Sequence, residues 1–387
     1  TCSAAASQTG PRFCPILARD VALRLAGDRI AATGTLVEPI TATRVAALTV
    51  AHDLGTGTGH ADLAIDKLSF AKAFQPNLLT PVVTGTVADV AGTIDGEGHI
   101  GWSDAGLTST GRFTTAGTDL AAAFGPVTGI AGSITFTDLL ALVSAPGQEV
   151  SVASINPGIP VEHGAIRFHT EAGPRIAVES ARWPFAGGTL TLDPTLLDFA
   201  APAERHMTFR LDGVAADRFL QQFDFKNLAA TGTFDGVLPM IFDARGGRIE
   251  GGRLTVREGG GGIAYVGDLA QKNLGFWGNL AFQALKSLRY RSLAIAMNGP
   301  LEGEMITDVR FAGVSQGQGA RSNFLIRRLQ RLPFVFNVRI KAPFRELVQT
   351  TSSFSDPTDL LRRSLPALIG PSTVQPAASA PVPSARP

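Results

Sequence analysis

The sequence has no apolar run long enough to cross a membrane as a helix, which takes about 20 consecutive apolar residues. The best uncharged stretch, Leu120 to Thr137, contains three glycines, one proline and four serine or threonine residues. This composition predicts a strand, a turn and a second strand. The chain begins with neither Met nor a basic segment, so we expect a mature form or a part of a longer protein, without a signal peptide.

Charged residues are scarce, at 17% of the chain, and 34 Lys and Arg nearly balance 33 Asp and Glu. Proteins that bind nucleic acid usually carry a basic excess, so we predict no nucleic-acid partner. Tyr is rare and Phe is common, 2 against 23. Because Phe has no hydroxyl group to satisfy, this ratio favours surfaces that stay fully apolar.

Cysteine occurs only twice, as Cys2 and Cys14. In an oxidising compartment the two residues are candidates for one small disulfide loop, and in the cytosol they would be ordinary thiols. Two cysteines without a nearby histidine are too few ligands for a zinc site. We therefore predict no metal.

Motifs for catalysis and for cofactor binding are also missing. There is no G-x-x-x-x-G-K-[ST] loop, and the glycine-rich GTGTGH at residues 55–60 is followed by neither a basic residue nor a helix start. There is no G-x-S-x-G motif, and the six histidines show neither H-x-H nor H-E-x-x-H spacing. We predict that the protein is not an enzyme and uses no cofactor.

Glycine, in contrast, is abundant, with 43 residues. In GGRIEGGRLTVREGGGGIAYVG, residues 246–267, two Gly-Gly pairs precede four glycines in a row. No helix start follows to bind a phosphate group. We expect these glycines to mark turns or bulges in a sheet, where a positive φ is required.

Alternation of apolar and polar residues is the dominant pattern in the sequence. It recurs in DVALRL, SITFT, AIRFHT, MTFRL, DVRFA and PFVFNVRIK. Alternation predicts strands with one apolar and one polar face. We expect an all-β protein of on the order of 25 strands, with short helices at residues 215–223 and 273–288.

The chain is expected to have three parts. Residues 1–353 form one continuous, extended β-region, and 354–370 form a short C-terminal helix that starts at an Asp-Pro pair. Residues 371–387 are rich in Pro and Ala and are predicted to be disordered.

The apolar face of so many one-sided strands is too large for a few short helices to cover. The sheet must close on itself, pack on another sheet, or curl into a trough. In a trough, the apolar face would bind an apolar ligand. The candidate groove residues are Ile134, Phe136, Ile166, Phe168, Phe209, Leu211, Leu254, Val256, Ile263, Val309, Phe311, Phe334 and Phe336.

Residues 321–345 contain seven Lys or Arg and no acidic residue. This segment is either a solvated face or a contact for anionic lipid headgroups or an acidic partner protein. The candidates for such a headgroup or partner contact are Arg327, Arg328 and Arg331.

Several segments together resemble YdbH-like proteins of the AsmA-like group, which are related to TamB and YhdP. Among them are SINPGIPVEHGAIRFHTE, FAGGTLTLDP, GTFDGVLPMIFDARGGRIEGGRLTVREGGGGIAYVG and FNVRIKAPFRELVQTT. The likeness spans roughly residues 120–355.

This resemblance implies a fold, a location and a function. The fold would be a long, curled, U-shaped and largely antiparallel β-sheet that forms a hydrophobic groove, with a few short covering helices. The protein would lie in the periplasm of a Gram-negative bacterium, attached to the inner membrane by an N-terminal anchor that is not in this chain. Phospholipid would move along the groove between the inner and outer membranes, and a small outer-membrane lipoprotein would meet the C-terminal end.

The residues alone favour a different interpretation. In it, the protein is a non-catalytic structural or interaction protein of the cell envelope, a β-solenoid or sandwich whose phenylalanines fill a core. The two interpretations differ in whether the apolar face lines an open groove or a filled interior.

Overall fold

β-Strands account for most of the part of the chain that the computed structural model describes. The described residues are 12–84, 87–122, 125–156, 160–199, 204–222, 228–243, 246–265, 288–301, 303–313, 315–316 and 335–343. They contain 23 strands, close to the number expected from the alternation.

The strands follow one another with few helices between them. The first nine are β1 (Leu17–Ala26), β2 (Arg29–Val37), β3 (Arg44–Asp53), β4 (Thr58–Phe70), β5 (Val87–Ser103), β6 (Gly106–Ala122), β7 (Gly125–Asp138), β8 (Val143–Ser144) and β9 (Gln148–Ile155). The next nine are β10 (Val161–Glu171), β11 (Arg175–Phe185), β12 (Gly188–Leu192), β13 (Thr195–Asp198), β14 (Arg205–Ala215), β15 (Leu228–Thr231), β16 (Thr233–Asp243), β17 (Gly246–Val256) and β18 (Gly261–Tyr265). The last five are β19 (Leu288–Tyr290), β20 (Ser292–Pro300), β21 (Glu304–Ala312), β22 (Ser315–Gln316) and β23 (Val335–Pro343).

Nineteen of these strands form one antiparallel sheet. With two exceptions, each strand of this sheet pairs with the strand of the same sheet that comes next in the chain, from β1 with β2 at one end to β21 with β23 at the other. At two positions in the strand order of the sheet, two strands lie beside the same neighbour. β8 and β9 both pair with β7, and β12 and β13 both pair with β11. Within the described residues the two end strands do not pair with each other, so the sheet is open and not a barrel. The predicted all-β, antiparallel fold is confirmed.

Connections between the strands alternate between two rims of the sheet, because neighbouring strands run in opposite directions. The first rim carries the turns after β1, β3 and β5, and the second rim carries those after β2, β4 and β6. The helix α1 (Ala216–Gln222) follows β14 at the second rim and confirms the helix predicted at residues 215–223. The predicted helix at 273–288 lies outside the described residues except for Leu288, which is the first residue of β19. The predicted helix at 354–370 and the tail at 371–387 lie wholly outside them.

Strand register divides the side chains of the sheet between two faces, because directly opposed residues point to the same side. One such row crosses five strands and is wholly apolar. It consists of Ile166, Ala181, Leu192, Phe209 and Leu238. We call the side that carries this row the inner face, and the side that carries the adjacent Arg182 and Arg210 the outer face.

Four bulges in the sheet share one hydrogen-bonding pattern. In each, the extra residue has a positive φ, lies at a shift in strand register, and donates its backbone N–H to an Asp or Asn on the neighbouring strand. The bonds run from Lys67 to Asp95 (2.9 Å), Gly129 to Asp119 (2.7 Å), Gly213 to Asp235 (2.9 Å) and Gly251 to Asn298 (2.6 Å). The four acceptors are on outer-face positions, so the extra residues are stabilised without a polar group on the inner face.

A second, four-stranded sheet at the second rim consists of β15, β18, β19 and β22. These strands continue β16, β17, β20 and β21 in the same order across short breaks. Glycines with positive φ occur at three of the breaks, among them Gly232, Gly260 and Gly313. The run of four glycines therefore marks the bend at which the main sheet divides, as the sequence predicted for a turn.

Buried apolar residues form three clusters. The largest runs along the inner face from Val127 on β7 to Met305 on β21. A smaller cluster around Leu68, Phe70 and Phe74 lies where residues 71–84 connect β4 to β5. The third, around Tyr290, lies between the main and second sheets.

The bend between the sheets gives a test with a matched control. Gly260 has a φ of +67°, and a Cβ there would overlap the carbonyl oxygen of Tyr290. Gly251 has a φ of +72° with no atom within 4 Å of the same position. We expect Gly251→Ala to lower the free energy of unfolding by about 1 kcal/mol through backbone strain. Gly260→Ala adds overpacking of about 1–3 kcal/mol.

Urea denaturation of the two variants measures this difference. Equal midpoints for Gly260→Ala and Gly251→Ala would show that the close approach at the bend does not contribute to stability.

Candidate functional site: the apolar inner face

An apolar cavity lies along the inner face of the second half of the sheet. Its volume is about 150 Å³, and the wider space between its walls, which includes open solvent, is about 1130 Å³. The lining comes from β9 to β20 and from α1. These residues are far apart along the sheet. They can line a single cavity only because the sheet curls with its inner face inward. The lining residues are Ile155, Val161, Ile166, Val178, Ala181, Trp183, Phe185, Leu190, Leu192, Leu197, Met207, Phe209, Leu211, Phe219, Leu238, Met240, Ile249, Leu254, Met297 and Leu301.

The helix α1 closes part of the second rim over this cavity. Phe219 on α1 packs edge-on against Phe185 at the end of β11, with ring centroids 6.1 Å apart. Both rings line the cavity. On the same wall, the ring of Trp183 lies 6.5 Å from that of Phe209.

The inner face is more exposed in the first half of the sheet. On β1, Val21, Leu23 and Leu25 are 57%, 67% and 60% exposed. From β2 to β7 the inner-face residues Leu48, Leu63 and Ile134 are half-buried. The same apolar face thus lines a cavity in one half of the sheet and is exposed to solvent at the other end.

Glycines flatten the open half of the inner face. A Cβ at Gly59 would meet the ring of Trp102, and a Cβ at Gly96 would meet the ring of Phe113. Each ring therefore lies directly over the backbone of a neighbouring strand. Phe113 also packs edge-on against Phe136, with centroids 5.8 Å apart. These contacts give a shallow floor of aromatic rings.

Strand register brings most of the predicted groove residues onto one face. Ile134 and Phe136 on β7, Ile166 and Phe168 on β10, Phe209 and Leu211 on β14, and Leu254 on β17 all occupy inner-face positions. The cavity itself is lined by Ile166, Phe209, Leu211 and Leu254.

Other predicted groove residues lie around the bend between the sheets. Val256, Ile263 and Phe311 pack against the cluster of Tyr290, Leu293 and Val309. Burial raises the pKa of Tyr290 to about 12, and its hydroxyl donates to the carbonyl oxygen of Thr231 at 3.1 Å. This cluster joins the two sheets and lies apart from the cavity lining.

Several predicted site residues lie outside the described residues or are described in the backbone only. Phe336 pairs with Phe311 in the register of β21 and β23. Phe334, Arg327, Arg328, Arg331 and Cys2 are outside the described residues. Cys14 is buried and is not free. The disulfide with Cys2 and the headgroup role of the arginines stay predictions.

More of the cavity wall comes from residues that the sequence analysis did not single out. Trp183 and Phe185 alternate in ARWPF, and Leu190 and Leu192 alternate in TLTL. The alternation in both segments would have been sufficient to predict these residues as members of the apolar face. Ile249, with 1% of its surface exposed, stands in the glycine-rich GGRIEGG, where no alternation is visible.

The outer face is polar, and ion pairs on it connect neighbouring strands. The guanidinium group of Arg257, the residue directly after β17, lies 2.5 Å from a carboxylate oxygen of Asp212 on β14 and 2.6 Å from one of Asp235 on β16. Hydrogen bonds from Arg257 and from the backbone N–H of Gly213 hold the pKa of Asp235 below its usual value. Arg248 is shared in the same way by Glu204, Asp243 and Glu250, at 2.7–2.8 Å.

The His, Cys, Asp and Glu side chains of the described residues do not form a metal centre. No group of three or more of them is placed to hold a metal ion. His163 is exposed, whereas His169 is half-buried and lies 2.9 Å from Glu179. Among the described helices none has the length and apolarity that a bilayer crossing requires.

These features define an open, one-sided β-sheet whose apolar face curls into a trough. The sequence model of one family, described as YdbH-like, intermembrane phospholipid transport protein YdbH, matches residues 4–366. The chain therefore belongs to the YdbH-like family, whose cargo is phospholipid. The match extends beyond residues 120–355, over which the resemblance was recognised. No curated protein and no solved structure matches the chain significantly.

The ion pairs of the outer face predict a specific pH dependence. Because the pKa of Asp235 is lower in the folded state than the usual value of about 3.9, its contribution to stability is present above pH 4 and is lost as the pH falls through the folded-state pKa. In Arg257→Gln the main cause of the lowered pKa is gone. We expect the loss of stability between about pH 5 and pH 2 to be smaller in this variant.

The matched control is Arg253→Gln, which changes an exposed outer-face arginine of β17, four residues before Arg257. Urea unfolding of both variants at several pH values provides the measurement. If the two variants lost stability in parallel with the unchanged protein, the pairing of Arg257 with Asp235 would not contribute to the acid response.

Proposed function

We propose that this chain is the periplasmic segment of a bridge-like phospholipid transport protein, which shields acyl chains in its apolar β-groove between the inner and outer membranes. The observation that carries the proposal is the register of the sheet, which supports one apolar face from Leu23 on β1 to Val309 on β21. Membership of a phospholipid transport family supplies the cargo.

The free energy of exposing a lipid to water explains why such a face is sufficient without catalytic groups. A phospholipid has about 30 methylene groups, each costing roughly 0.8 kcal/mol when moved into water, so the total is about 24 kcal/mol. A continuous apolar surface removes most of this cost at every point along the path. The polar headgroup stays in water beyond a rim of the sheet.

The partners and the location belong to the same proposal. The resemblance to AsmA-like proteins supports an inner-membrane attachment through an N-terminal anchor outside this chain. It also supports contact with a small outer-membrane lipoprotein at the C-terminal end. Arg327, Arg328 and Arg331 are the candidates for a headgroup or partner contact near that end.

A structural role is the second candidate, and one observation favours it. From β9 to β21 the inner-face side chains pack against each other as a core would, and leave a cavity of only about 150 Å³. A non-catalytic structural protein of the cell envelope would have such a filled interior. The open half of the face supports the groove, because Leu23 and Leu25 are exposed there, whereas a filled interior would bury them.

Photo-crosslinking along β4 tests the groove directly, because both faces of this strand are accessible. Leu63 and Ile65 are on the inner face, and Asp62 and Ala64 are on the outer face. With a photoreactive residue at each position in cells, we expect lipid adducts at positions 63 and 65 but not at 62 and 64. Adducts that do not alternate, or no adducts, would contradict the groove.

A charge on the inner face gives a complementary test. Phe136→Asp places a carboxylate on the half-buried floor, whereas Thr137→Asp places it on the exposed outer face of the same strand. Because a carboxylate is costly next to an acyl chain, we expect lipid transfer between vesicles to fall on the order of tenfold in Phe136→Asp only. Equal transfer by two folded variants would argue against the groove.

A further inference from the structure

One nitrogen on the open half of the inner face has a defined protonation state and no protein partner. The indole N–H of Trp102 on β5 donates to Nδ1 of His52 on β3 at 3.1 Å. An indole nitrogen can only donate, so Nδ1 acts as the acceptor and the proton of the neutral imidazole is on Nε2. No hydrogen bond or ion pair joins Nε2 to any other described residue. His52 therefore presents one N–H donor that the protein itself does not use.

This donor is accessible, because its ring is held on the surface of the sheet. Register places His52 opposite Gly59, and Gly59 opposite Trp102. The indole lies over Gly59 and reaches His52 across the intervening strand, with the two ring centroids 6.0 Å apart. The only buried and unpartnered side-chain nitrogen or oxygen of the described residues belongs to Trp183. Since Nε2 of His52 is also unpartnered, it is not buried, and a ligand can approach it.

Polar groups are otherwise scarce on this part of the inner face. The two inner-face rows of opposed residues nearest the first rim, from β1 to β6, contain only three polar side chains, those of His52, Trp102 and Ser109. The Ser109 hydroxyl donates to Asp138 at 2.7 Å and accepts from the backbone N–H of Leu140 at 3.0 Å. The Nε2–H group is thus the one polar side-chain group of both rows without a protein partner. The rows are Leu25, Ile30, His52, Gly59, Trp102, Leu107 and Leu23, Ala32, Val50, Ala61, Ile100, Ser109.

The first rim is the open side of this region. At the second rim the segment of residues 71–84 covers the inner face, where the ring of Phe74 stacks on that of Phe70 with centroids 5.3 Å apart. At the first rim the three hairpins from β1 to β6 close over turns of two to four residues. Leu25 and Leu107, which lie next to two of these turns, are 60% and 61% exposed. The polar end of a lipid on this floor therefore meets water at the first rim, beside His52.

The floor is long enough for an acyl chain without any enclosed cavity. From Gly59 to Leu68 the strand β4 extends for about 30 Å, at a rise of about 3.3 Å per residue. Two acyl chains end to end make up the hydrocarbon core of a bilayer, which is also about 30 Å thick. One chain therefore covers about half of this distance. The remaining distance separates the chain from the cover at the second rim.

We propose that Nε2–H of His52 donates a hydrogen bond to an ester carbonyl oxygen of a glycerophospholipid whose acyl chains lie on the open half of the inner face, and so holds its glycerol end at the first rim. This inference rests on the proposed transport of phospholipid. It adds His52 as a positioning residue and selects acyl-ester lipids over ether lipids.

The phosphate group of the same lipid is the alternative acceptor, and charges at the rim favour the neutral ester. The carboxylates of Asp28 and Asp53 lie 3.9 and 3.3 Å from the Cβ position of Gly55, in the turn after β3. Arg29 pairs with Asp53 at 3.6 Å, and Asp28 has no ion pair among the described residues. This excess negative charge would repel a phosphate oxygen beside His52.

The test compares two lipids that differ only in the ester carbonyl groups. Delipidated full chain is titrated with dioctanoyl phosphatidylcholine and with its dioctyl ether analogue, both kept below the concentration at which micelles form. We expect the diester to bind about threefold to tenfold more tightly, as one hydrogen bond allows. His52→Phe keeps a ring beside Trp102 and should abolish the preference. His52→Gln, which restores an N–H donor at a similar distance from the backbone, should recover part of it.

The matched control is His60→Phe on β4. His60 lies on the outer face, opposite Ala51 of β3, with 46% of its side-chain surface exposed. This variant should keep the full preference for the diester.

Nitrogen chemical shifts of the unchanged, ¹⁵N-labelled chain give an independent readout at about pH 8.5, where free imidazole is neutral. His52 should show a protonated Nε2 and an unprotonated Nδ1, and its Nε2 resonance should shift with the diester only. A proton on Nδ1 would overturn the proposal.

The outcomes separate this inference from the transport proposal. Equal binding of the two lipids, or the same preference in His52→Phe, would overturn the ester contact and leave transport standing. Weaker binding of both lipids to His52→Phe by the same factor would overturn the ester in favour of the phosphate. Failure of both lipids to bind the unchanged protein would overturn both proposals.

Discussion

Two-residue periodicity of the β-strand is the constraint on which the whole molecule depends. A slip of one residue exchanges the faces of a strand, and in a sheet of 19 strands one such slip would interrupt the apolar face. Insertions therefore have to be absorbed locally. At Lys67 and Gly213 the extra residue takes a positive φ and its N–H is bonded by an aspartate on the adjacent strand. The inner face resumes its alternation on the far side of each bulge.

Individual strands were readable from the sequence for the same reason. Segments such as AIRFHT and MTFRL alternate without interruption. Both are strands in the structure, β10 and β14, and their apolar residues lie on the inner face. The helix at 215–223 was predicted from its local pattern and is present as α1. These features depend only on residues close together in the chain.

The rest depends on pairings that a single sequence does not contain. Nothing local shows that Ile166 and Leu238, on distant strands, lie in one row across the sheet. The division into two sheets at the glycine run was visible only as a turn, since the paired residues of the second sheet lie up to 37 residues apart in the chain, as Leu228 and Tyr265 do. Trp183 was missed because an indole in an alternating strand looks like any other core residue. The indole nitrogen of Trp183 has no hydrogen-bond partner among the described residues, which is evident only when its surroundings are known.

The graded exposure of the inner face connects the fold to the movement of an amphiphile. Where the sheet curls, Phe209, Leu211 and Met240 enclose a cavity. Where it opens, Val21 and Leu23 remain in contact with solvent. A ligand that moves along such a face passes from an open floor to an enclosed trough without leaving apolar surface.

The pairing of each strand with its neighbour along the chain also bears on how the molecule forms. Hairpins such as β5–β6 close over turns of two residues, so the entropic cost of each new pairing is small. Most strands of the sheet pair with the strand that follows them in the chain, as β5 does with β6 and β6 with β7. Each completed strand presents an edge of unpaired N–H and C=O groups to which the next strand of the chain can pair.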